Sequence, residues 1–517
     1  MNVHSTSPDP VKQLAQGIAR FRGNPLTMTE GLAIGALLFL WGNIAAATGM
    51  SDPFGTEALQ PRKPELRIEG VINPCAEGMP KRALNLLDVV NLTLCSNPQT
   101  REVWASARAQ AAQVGVSQAA YLPSASLNAA ANRNSPGSNQ TSVGLTLSYL
   151  LYDFGNRAAN LENARQLLAA ASSTQDSTVQ TVFLAAVQAF YQVHATQAAL
   201  DAARQSEQAA KEGFTAAATR YEIGSATPAD KLQAQTAYSQ ATLNRITAEG
   251  NLKNAQGTLA NTLGLDAGTE VQLVTASGYA AQPGAAAASP APANATAVPP
   301  SGEKIKEFEQ SISALIDEAR RRRPDLQASI AQVKAAEANT KAVRAAGMPT
   351  ISLGASANQI NGGGITSHGS SIGVNVSVPL FTGFASTYRI RTAEAQTEVK
   401  QAQLDRLNLQ VALDVWTAYQ TLITATQSLR TTADLLSSAE QAEQVAIGRY
   451  KSGVGTILDV LNAQSALASA RQQRVQSVFN WNLGRATLAQ AMGSLDADLL
   501  QALPDSGIGK PQAKPQP

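Results

Sequence analysis

The sequence repeats itself at an offset of about 226 to 229 residues, and this internal duplication constrains the fold more than any other feature. The clearest match pairs residues 220–224 (RYEIG) with residues 449–453 (RYKSG). In both copies an aspartate, a leucine, an alanine and a glutamine follow at the same spacing. The chain is therefore predicted to contain two structurally equivalent repeats, at residues 84–265 and 312–495.

The N-terminus has the pattern of a secretory signal peptide. Arg20 and Arg22 precede an apolar run at residues 31–44, which three alanines follow. The run is shorter than the roughly 20 residues that a membrane-spanning helix needs, so residues 1–47 are expected to be removed on export. Met28 is an alternative start of translation. No cysteine follows the cleavage site, so a lipid anchor is not expected.

Other segments also lie outside the two repeats. Residues 48–83 form an N-terminal segment before the first repeat. Residues 266–311 are rich in alanine and proline and cannot bury a core, so they are predicted to be a linker. Residues 496–517 are predicted to be a disordered tail for the same reason. The chain has 2 cysteines, Cys75 and Cys95, and in an exported protein we expect them to form one disulfide.

Each repeat contains two stretches in which apolar and small polar residues alternate, as in amphipathic β-strands. These predicted strands lie at residues 123–132 and 142–152 in the first repeat, and at residues 350–358 and 371–381 in the second. Strands of about ten residues with one apolar face suit a membrane β-barrel, with lipid outside and water inside. The edge of a soluble sandwich is the alternative, but no further strands are predicted that would supply a second sheet.

Four strands are too few for a closed barrel, because small closed barrels begin at about eight strands. Open strand edges are not tolerated in lipid. A barrel formed by this chain must therefore be shared between subunits. Positions predicted to face lipid include Leu145, Leu147, Val374 and Val376, whereas Thr146 is predicted to face the lumen.

Each repeat also contains a long stretch without glycine or proline, at residues 156–212 and 384–447. At 1.5 Å per residue, each stretch would form a helix roughly 85 to 95 Å long. Apolar residues recur at steps of three and four, which predicts that these helices pack as in a coiled coil. We therefore expect a mainly α-helical protein with a membrane β-barrel, built from a duplicated unit of helix, β-hairpin, long helix and helix.

Each long helix is predicted to end at a glycine turn, and the helix that follows is predicted to be capped by a threonine and an aspartate. Tyr221 and Asp230 lie at this turn in the first repeat, and Tyr450 and Asp459 occupy the same positions in the second. Two interpretations remain open. The aspartates are helix caps, or oligomer symmetry gathers them with the tyrosines into a closed or cation-binding ring.

Nothing in the sequence points to nucleic acid, a cofactor or catalysis. Lys and Arg number 40 against 38 Asp and Glu, so the chain lacks the strong positive field that binds nucleic acid. The 3 histidines are far apart, and the cysteines have no neighbours that would complete a zinc site. No nucleophile or phosphate-binding motif stands out, so no enzyme activity, cofactor or metal site is predicted.

Together these features resemble the TolC family of outer-membrane channel-tunnels. The resemblance is carried by the duplicated plan, the Arg-Pro-Asp-Leu motif at residues 323–326, Pro123 and Pro349 at the helix-to-strand junctions, and the two Tyr-x-x-Gly-x-x-x-x-x-Asp turns. It implies a homotrimer whose twelve strands close one barrel in outer-membrane lipid, with a helical tunnel in the periplasm. It also implies two partners, a periplasmic adaptor protein and an inner-membrane ABC or proton-driven transporter.

By position, the resemblance implies a tunnel entrance formed by Asp230, Tyr450, Asp459 and Asn462. Asn462 stands where the family prototype has a second aspartate, and Gly455 stands where it has an arginine that helps to hold the entrance shut. The charge network of the closed entrance is therefore expected to be reduced in this protein.

The function implied is that of an outer-membrane export duct in a tripartite system. Without a lipidation cysteine, the chain resembles the type I protein-secretion ducts of the CyaE kind more than the lipid-anchored multidrug outlets. An outlet for small-molecule efflux is the first alternative. A periplasmic coiled-coil adaptor is the second, although an adaptor should carry one helical hairpin and no paired amphipathic strands.

Overall fold

The structure is a computed structural model, and it describes residues 52–63, 82–134, 138–274 and 302–495. The chain divides into two units, Met1–Ala58 and Leu59–Pro517. In the first unit, the Thr56 hydroxyl donates a hydrogen bond to the Asp52 carboxylate at 2.9 Å. The predicted signal peptide, the predicted tail and Cys75 lie outside the described residues. Cys95 is disulfide-bonded, and its pairing with Cys75 stays a prediction.

In the second unit the described residues form two sets of matching elements. In chain order they are α1 (Leu86–Ser96), α2 (Pro98–Ala119), β1 (Ser124–Asn134), β2 (Ser138–Tyr152), α3 (Asn156–Glu222), α4 (Pro228–Thr262), α5 (Gly302–Arg322), α6 (Pro324–Ala345), β3 (Thr350–Gly362), β4 (Ile365–Ser377), α7 (Ala385–Lys451) and α8 (Ile457–Ala491). Helices α2 and α6 have 22 residues each, α3 and α7 have 67 each, and α4 and α8 have 35 each. The duplication in the sequence is a duplication in the structure.

The long helices α3 and α7 extend further than their predicted cores. Each continues through a glycine, Gly213 or Gly448, to a length of 67 residues, which is about 100 Å. A glycine inside a helix costs about 1 kcal/mol relative to alanine. Packing of α3 along α4 and of α7 along α8 offsets this cost, since each pair is in contact over much of its length.

The four strands form one antiparallel sheet in the order β1-β2-β3-β4. Strand β2 pairs with β3, so the hairpins of the two repeats join even though the helices α3 to α6 separate them in the sequence. The register sets Leu127 opposite Leu145 and Leu353 opposite Val374, which gathers apolar side chains on one face. Leu145 and Val374 are 52% and 62% exposed. The apolar face is therefore open in the single chain.

The sequence predicted this strand at residues 371–381, but β4 spans Ile365–Ser377. It begins six residues earlier than predicted and ends four residues earlier. Gly363 and Gly364 both have positive φ angles and form a two-residue turn, where the sequence suggested a longer one. Such a turn needs residues that tolerate the left-handed conformation. Pro379 lies just beyond the strand and lacks the N–H that a further ladder hydrogen bond would need.

The main hydrophobic core lies where α1 packs against the middle of α3. Phe183, Phe190 and Tyr191 of α3 are fully buried there. His194 is also buried in this region, with its ring centroid 4.6 Å from that of Phe190. Smaller clusters, rich in alanine, follow the long helices towards their far ends, and small side chains allow the helices to approach closely. Among the described helices, none is both long and apolar enough to cross a membrane.

Glycines that follow α4 and α8 lie close to the C-terminal ends of the short helices α1 and α5. Gly264 has a φ of +75°, and a Cβ added there would lie 2.7 Å from the carbonyl oxygen of Ser96. Gly493 has a φ of +71°, and its added Cβ would lie 3.0 Å from the amide nitrogen of Arg323. Only glycine combines the left-handed conformation with so close an approach. Both repeats therefore use the same contact.

Four arginines at residues 320–323 precede Pro324 at the start of α6, and they differ in exposure. Arg321 pairs with Glu318 on the surface at 2.6 Å. The Arg323 side chain is only 15% exposed, and it contacts Asp325 at 2.6 Å and Asp414 of α7 at 2.8 Å. Burial lowers the pKa of Arg323, but the hydrogen bonds and charges of the two carboxylates outweigh burial and raise it. Arg323 thus ties the start of α6 to α7.

Candidate functional site

The candidate site is the far end of the molecule, where the tips of the two helical hairpins pack together. The α3–α4 tip contributes the buried Ala217 and Ala234, and the α7–α8 tip contributes Ala446, Ile457 and Val460. Side chains from all four helices therefore share one small apolar cluster, which we call the tip cluster. Its small size indicates that apolar packing alone holds the two hairpins together only weakly.

Both turns at the tips have the glycine C-cap that the sequence predicts. Gly224 and Gly453 each have a φ of +77°. In the first turn, the Ser225 amide donates to the Arg220 carbonyl at 2.8 Å, and the Gly224 amide donates to the Tyr221 carbonyl at 3.0 Å. The second turn repeats both bonds. This pair of hydrogen bonds is the Schellman motif, which satisfies the last carbonyls of a helix.

Asp230 and Asp459 form capping boxes with threonines. Asp230 Oδ2 accepts from the Thr227 amide at 2.9 Å and from the Thr227 hydroxyl at 2.8 Å. Asp459 Oδ2 accepts from the Thr456 amide at 3.0 Å. The backbone hydrogen bond is the largest cause that lowers the pKa of each aspartate, and the threonine hydroxyl adds to it. Both carboxylates are therefore held in the charged form at the surface of the tips.

Arg220 links the two hairpins directly. Its Nη2 atom donates a hydrogen bond to the carbonyl oxygen of Tyr450 at 2.9 Å. The centre of the guanidinium also lies 4.1 Å from the centroid of the Tyr450 ring, a distance at which a cation is attracted to an aromatic face. The sequence suggested only that Arg220 belongs to a repeated helix end. Its contact with a residue 230 positions away had no local signal.

The two tip tyrosines have different surroundings. Tyr221 is 40% exposed, and the Lys231 ammonium lies 5.3 Å from its ring centroid. Tyr450 packs against the tip cluster, and its hydroxyl is buried without a hydrogen-bond partner among the described residues. That closure of the entrance relies on packing and hydrogen bonds from Tyr221 and Tyr450 stays a prediction. Within one chain, Tyr450 contacts Arg220 through its ring and its carbonyl.

Gly455 and Asn462 are the two positions at which the sequence departs from the family prototype. A Cβ added to Gly455 would lie 3.0 Å from Arg449 Cβ and 3.1 Å from the Tyr450 amide nitrogen. The Gly455 amide also donates to the Arg449 carbonyl at 3.1 Å. A larger side chain at 455 would therefore displace the turn. Asn462 lies on the exposed side of α8.

Not all predicted entrance residues are in contact with one another. Asp230 and Asp459 each bond to their own threonine, and Tyr450 contacts Arg220 across the tips. Within the described ranges, no group of three or more His, Cys, Asp or Glu side chains is placed to hold a metal ion. The arrangement can hold two hairpins together and present negative charge, but it contains no catalytic constellation.

Comparison with known proteins assigns this architecture to a family. Residues 89–265 and 315–494 match the family described as outer membrane efflux protein. The chain belongs to the outer membrane efflux protein family. The two matched segments fall on the two repeats, which indicates that the duplicated unit is the feature that defines the family match.

Individual relatives match the chain over most of its length. It is 30% identical to Protein CyaE of Bordetella pertussis over 498 residues, which is 94% of this chain and 98% of the relative. It is 24% identical to outer membrane protein TolC of Escherichia coli strain K12 over 462 residues, 83% and 86% of the two chains. Among solved structures, the outer-membrane channel OprN superposes with a TM-score of 0.65 at 20% identity, covering 84% of this chain and 97% of that one.

These matches confirm the fold expected from the sequence, a TolC-like channel protein that is mostly helical with a small sheet. The protein is an outer-membrane export duct, and its long helices form the periplasmic tunnel. The family consists of transport channels.

Proposed function

We propose that this protein is the outer-membrane duct of a type I protein-secretion system and that it works as a homotrimer. The observation that carries the trimer is the four-stranded sheet, whose outer strands β1 and β4 each pair on one side only. In lipid, unpaired strand edges are too costly to persist. Three copies would join edge to edge into twelve strands and leave no free edge.

The uncovered face of the sheet supports contact with outer-membrane lipid. Leu147 and Val376 are 42% and 57% exposed, and they lie on the same face as Leu145 and Val374. The opposite face carries Thr146 and other small polar residues, which suit a water-filled lumen. We infer that the apolar face is turned towards lipid in the trimer.

The tips of the hairpins form the entrance in this proposal. Three copies of Asp230 and of Asp459 would bring six carboxylates to one end of the tunnel. Because hydrogen bonds keep these groups charged, the entrance would favour cations. Tyr221, Tyr450 and Asn462 would line the same rim. A periplasmic adaptor and an inner-membrane ABC transporter would deliver the cargo there.

The choice of type I secretion follows the resemblance of the sequence to that branch of the family, and the full-length match to Protein CyaE favours it. The test is deletion of the gene in the native bacterium, followed by mass spectrometry of the culture supernatant. Loss of one or a few large secreted proteins, restored by the wild-type gene, is expected. An unchanged set of secreted proteins would contradict the proposal.

Small-molecule efflux is the second candidate, since the family description is that of efflux proteins. In that case the inner-membrane partner would be a proton-driven or ABC pump. The same deletion strain distinguishes the two functions when it is grown with a panel of antibiotics, dyes and detergents. Broad sensitisation with unchanged protein secretion would establish efflux in place of type I secretion.

A further inference from the structure

The junction between β4 and α7 presents large apolar side chains that nothing in the described chain covers. We call residues 380–391 the second junction. Leu380 is 92% exposed, Phe381 77%, Phe384 66% and Tyr388 63%. The rings of Phe381 and Phe384 meet edge to face, with centroids 5.6 Å apart. Such a cluster is unfavourable in water and calls for an apolar partner.

The backbone at this junction is strained in a way that keeps an aromatic ring exposed. Phe384 has a φ of +65°, and Phe154 at the junction of β2 and α3 has a φ of +51°. A bulky residue rarely adopts this left-handed conformation, and strain that persists is commonly linked to function. Burial within the chain does not compensate the strain, since Phe154 is 47% and Phe384 66% exposed.

The second junction also carries positive charge that is not neutralised. Arg389 and Arg391 are exposed, and within the described part of the chain neither forms a salt bridge. The nearby Glu394 is paired with Arg344 at 2.6 Å. The Arg391 guanidinium lies 5.5 Å from the Tyr388 ring centroid. Aromatic and cationic groups therefore lie side by side.

The junction of the first repeat lacks this charge. Asn160 and Glu162 occupy the positions of Arg389 and Arg391. Its own arginine, Arg157, is only 12% exposed and is paired with Asp153 at 3.1 Å. The two junctions share exposed aromatic residues, but only the second presents free cations. This difference is the reason to seek a ligand at the second junction alone.

We propose that the second junction binds the phosphate headgroup of an anionic membrane phospholipid. Arg391, beside the Tyr388 ring, contacts the phosphate. Arg389 lies two positions away on α7 and so on another side of the helix, and it adds to the attraction for the anionic headgroup. The acyl chains lie against Phe381, Phe384 and Leu380. Aromatic side chains favour the interface between lipid and water, and each basic residue near an anionic membrane adds to the attraction. This inference rests on the membrane orientation given under the proposed function.

The test compares phospholipid binding to the detergent-solubilised full-length mature protein by native mass spectrometry, with phosphatidylglycerol and phosphatidylcholine as probes. For the Arg389→Gln/Arg391→Gln variant, the apparent Kd for phosphatidylglycerol should rise by about fivefold per arginine, on the order of 25-fold in total. The matched control is Arg406→Gln/Arg430→Gln, which removes two exposed arginines from the same helix. The control should bind like the wild type.

A gain of binding sharpens the test. Asn160→Arg/Glu162→Arg gives the first junction the charges of the second, and it should add a phosphatidylglycerol site. Equal affinities in the wild type, the Gln variant and the control would overturn the inference. So would displacement of the lipid by millimolar inorganic phosphate, since this would assign the site to free phosphate.

Failure of this inference is distinguishable from failure of the proposed function. The same preparations are inserted into planar bilayers, and their conductance is recorded. Normal conductance in the wild type without preferential phosphatidylglycerol binding refutes the lipid site alone. A wild-type protein that neither trimerises nor conducts refutes the duct on which the inference rests.

Discussion

The two repeats have matching frameworks but different chemistry at their ends. Helices α3 and α7 have the same length, as do α4 and α8. At the tips, however, Tyr450 is contacted by Arg220 of the other hairpin, whereas Tyr221 is 40% exposed and lies beside Lys231 of its own hairpin. The comparison indicates that duplication preserves lengths, caps and glycine contacts. The side chains that meet another hairpin or the membrane are free to diverge.

The contacts between short and long helices show the same division. In the first repeat, Asn97 Nδ2 donates to the Thr262 carbonyl at 3.0 Å. At the same place in the second repeat, Arg323 bridges Asp325 and Asp414. Asn97 ties the start of α2 to the end of α4, whereas Arg323 ties the start of α6 to α7 and does so with charge. Substitutions at equivalent positions of the two repeats should therefore have equal effects where the contacts match and different effects where they do not.

The largest effect is expected on the apolar face of the sheet, where the repeats should behave alike. An arginine at Leu145 or Val374 should cost about 2 to 4 kcal/mol if these positions lie near the middle of the bilayer. Thr146→Arg, on the opposite face, is the control and should be tolerated. The measurement is the fraction of heat-resistant oligomer on gels after membrane extraction. Equal loss in the control and the test variants would show that the faces are wrongly assigned.

The glycine contacts should give the next largest effect, with a difference between the repeats. Gly264→Ala should destabilise the protein by about 2 kcal/mol, because strain at positive φ adds to the contact with Ser96. Gly493→Ala should cost less, since its contact is longer.

Urea unfolding followed by circular dichroism measures both glycine changes. Gly250→Ala is the control, because Gly250 lies inside α4 with nothing within 4 Å of an added Cβ. This change should stabilise the helix by about 0.5 to 1 kcal/mol. If Gly250→Ala destabilises the protein, the helix does not tolerate even a substitution without a close contact. The losses in Gly264→Ala and Gly493→Ala would then not be due to their close contacts.

The link between the tips should depend on the arginine of the first repeat and not on its equivalent in the second. Arg220→Ala removes a hydrogen bond and a contact with an aromatic face, together worth about 1 to 2 kcal/mol, and should raise the open probability of single channels in planar bilayers. Tyr450→Phe keeps the ring and should have a smaller effect. Arg449→Ala, at the equivalent position, is the control. If it opens the channel as much as Arg220→Ala does, the link between the tips is not what holds them.

The smallest structural effect is expected for the tip aspartates, although selectivity should change. The pKa of both carboxyls is lowered, so both stay charged from pH 7 down to their ordinary pKa of about 3.9. Their stabilising hydrogen bonds are present above that pH and are lost as the pH falls through the lowered pKa of the folded state.

Cation selectivity, measured as reversal potential, should therefore be constant between pH 7 and pH 5. Asp459→Ala should reduce it, together with block by multivalent cations. Selectivity that already falls at pH 5 would mean that carboxylates from neighbouring subunits repel one another and raise the pKa. An unchanged reversal potential in Asp459→Ala would leave the aspartate as a helix cap only.

Much of the fold was predictable because its determinants are local. The capping threonines, the turn glycines and the alternating strands each follow from residues within one turn or strand. The end of β4 was wrongly predicted although Pro379 offered a local signal, because the apolar alternation continues through Leu380. The contact of Arg220 with Tyr450 was not predictable, since it depends on how two hairpins pack. The same holds for Arg323 and Asp414.

Helices α3 and α7 have equal lengths, so the two helices of one chain extend equally far from the sheet. One residue added to only one of these helices would advance its far end by about 1.5 Å and rotate it by about 100°. Both helices begin next to the same four-stranded sheet, so neither can slide along the other to absorb such a difference. Insertions and deletions in this lineage should therefore arise in pairs, one in α3 and one in α7. Each pair should evolve as a single change in the length of the tunnel.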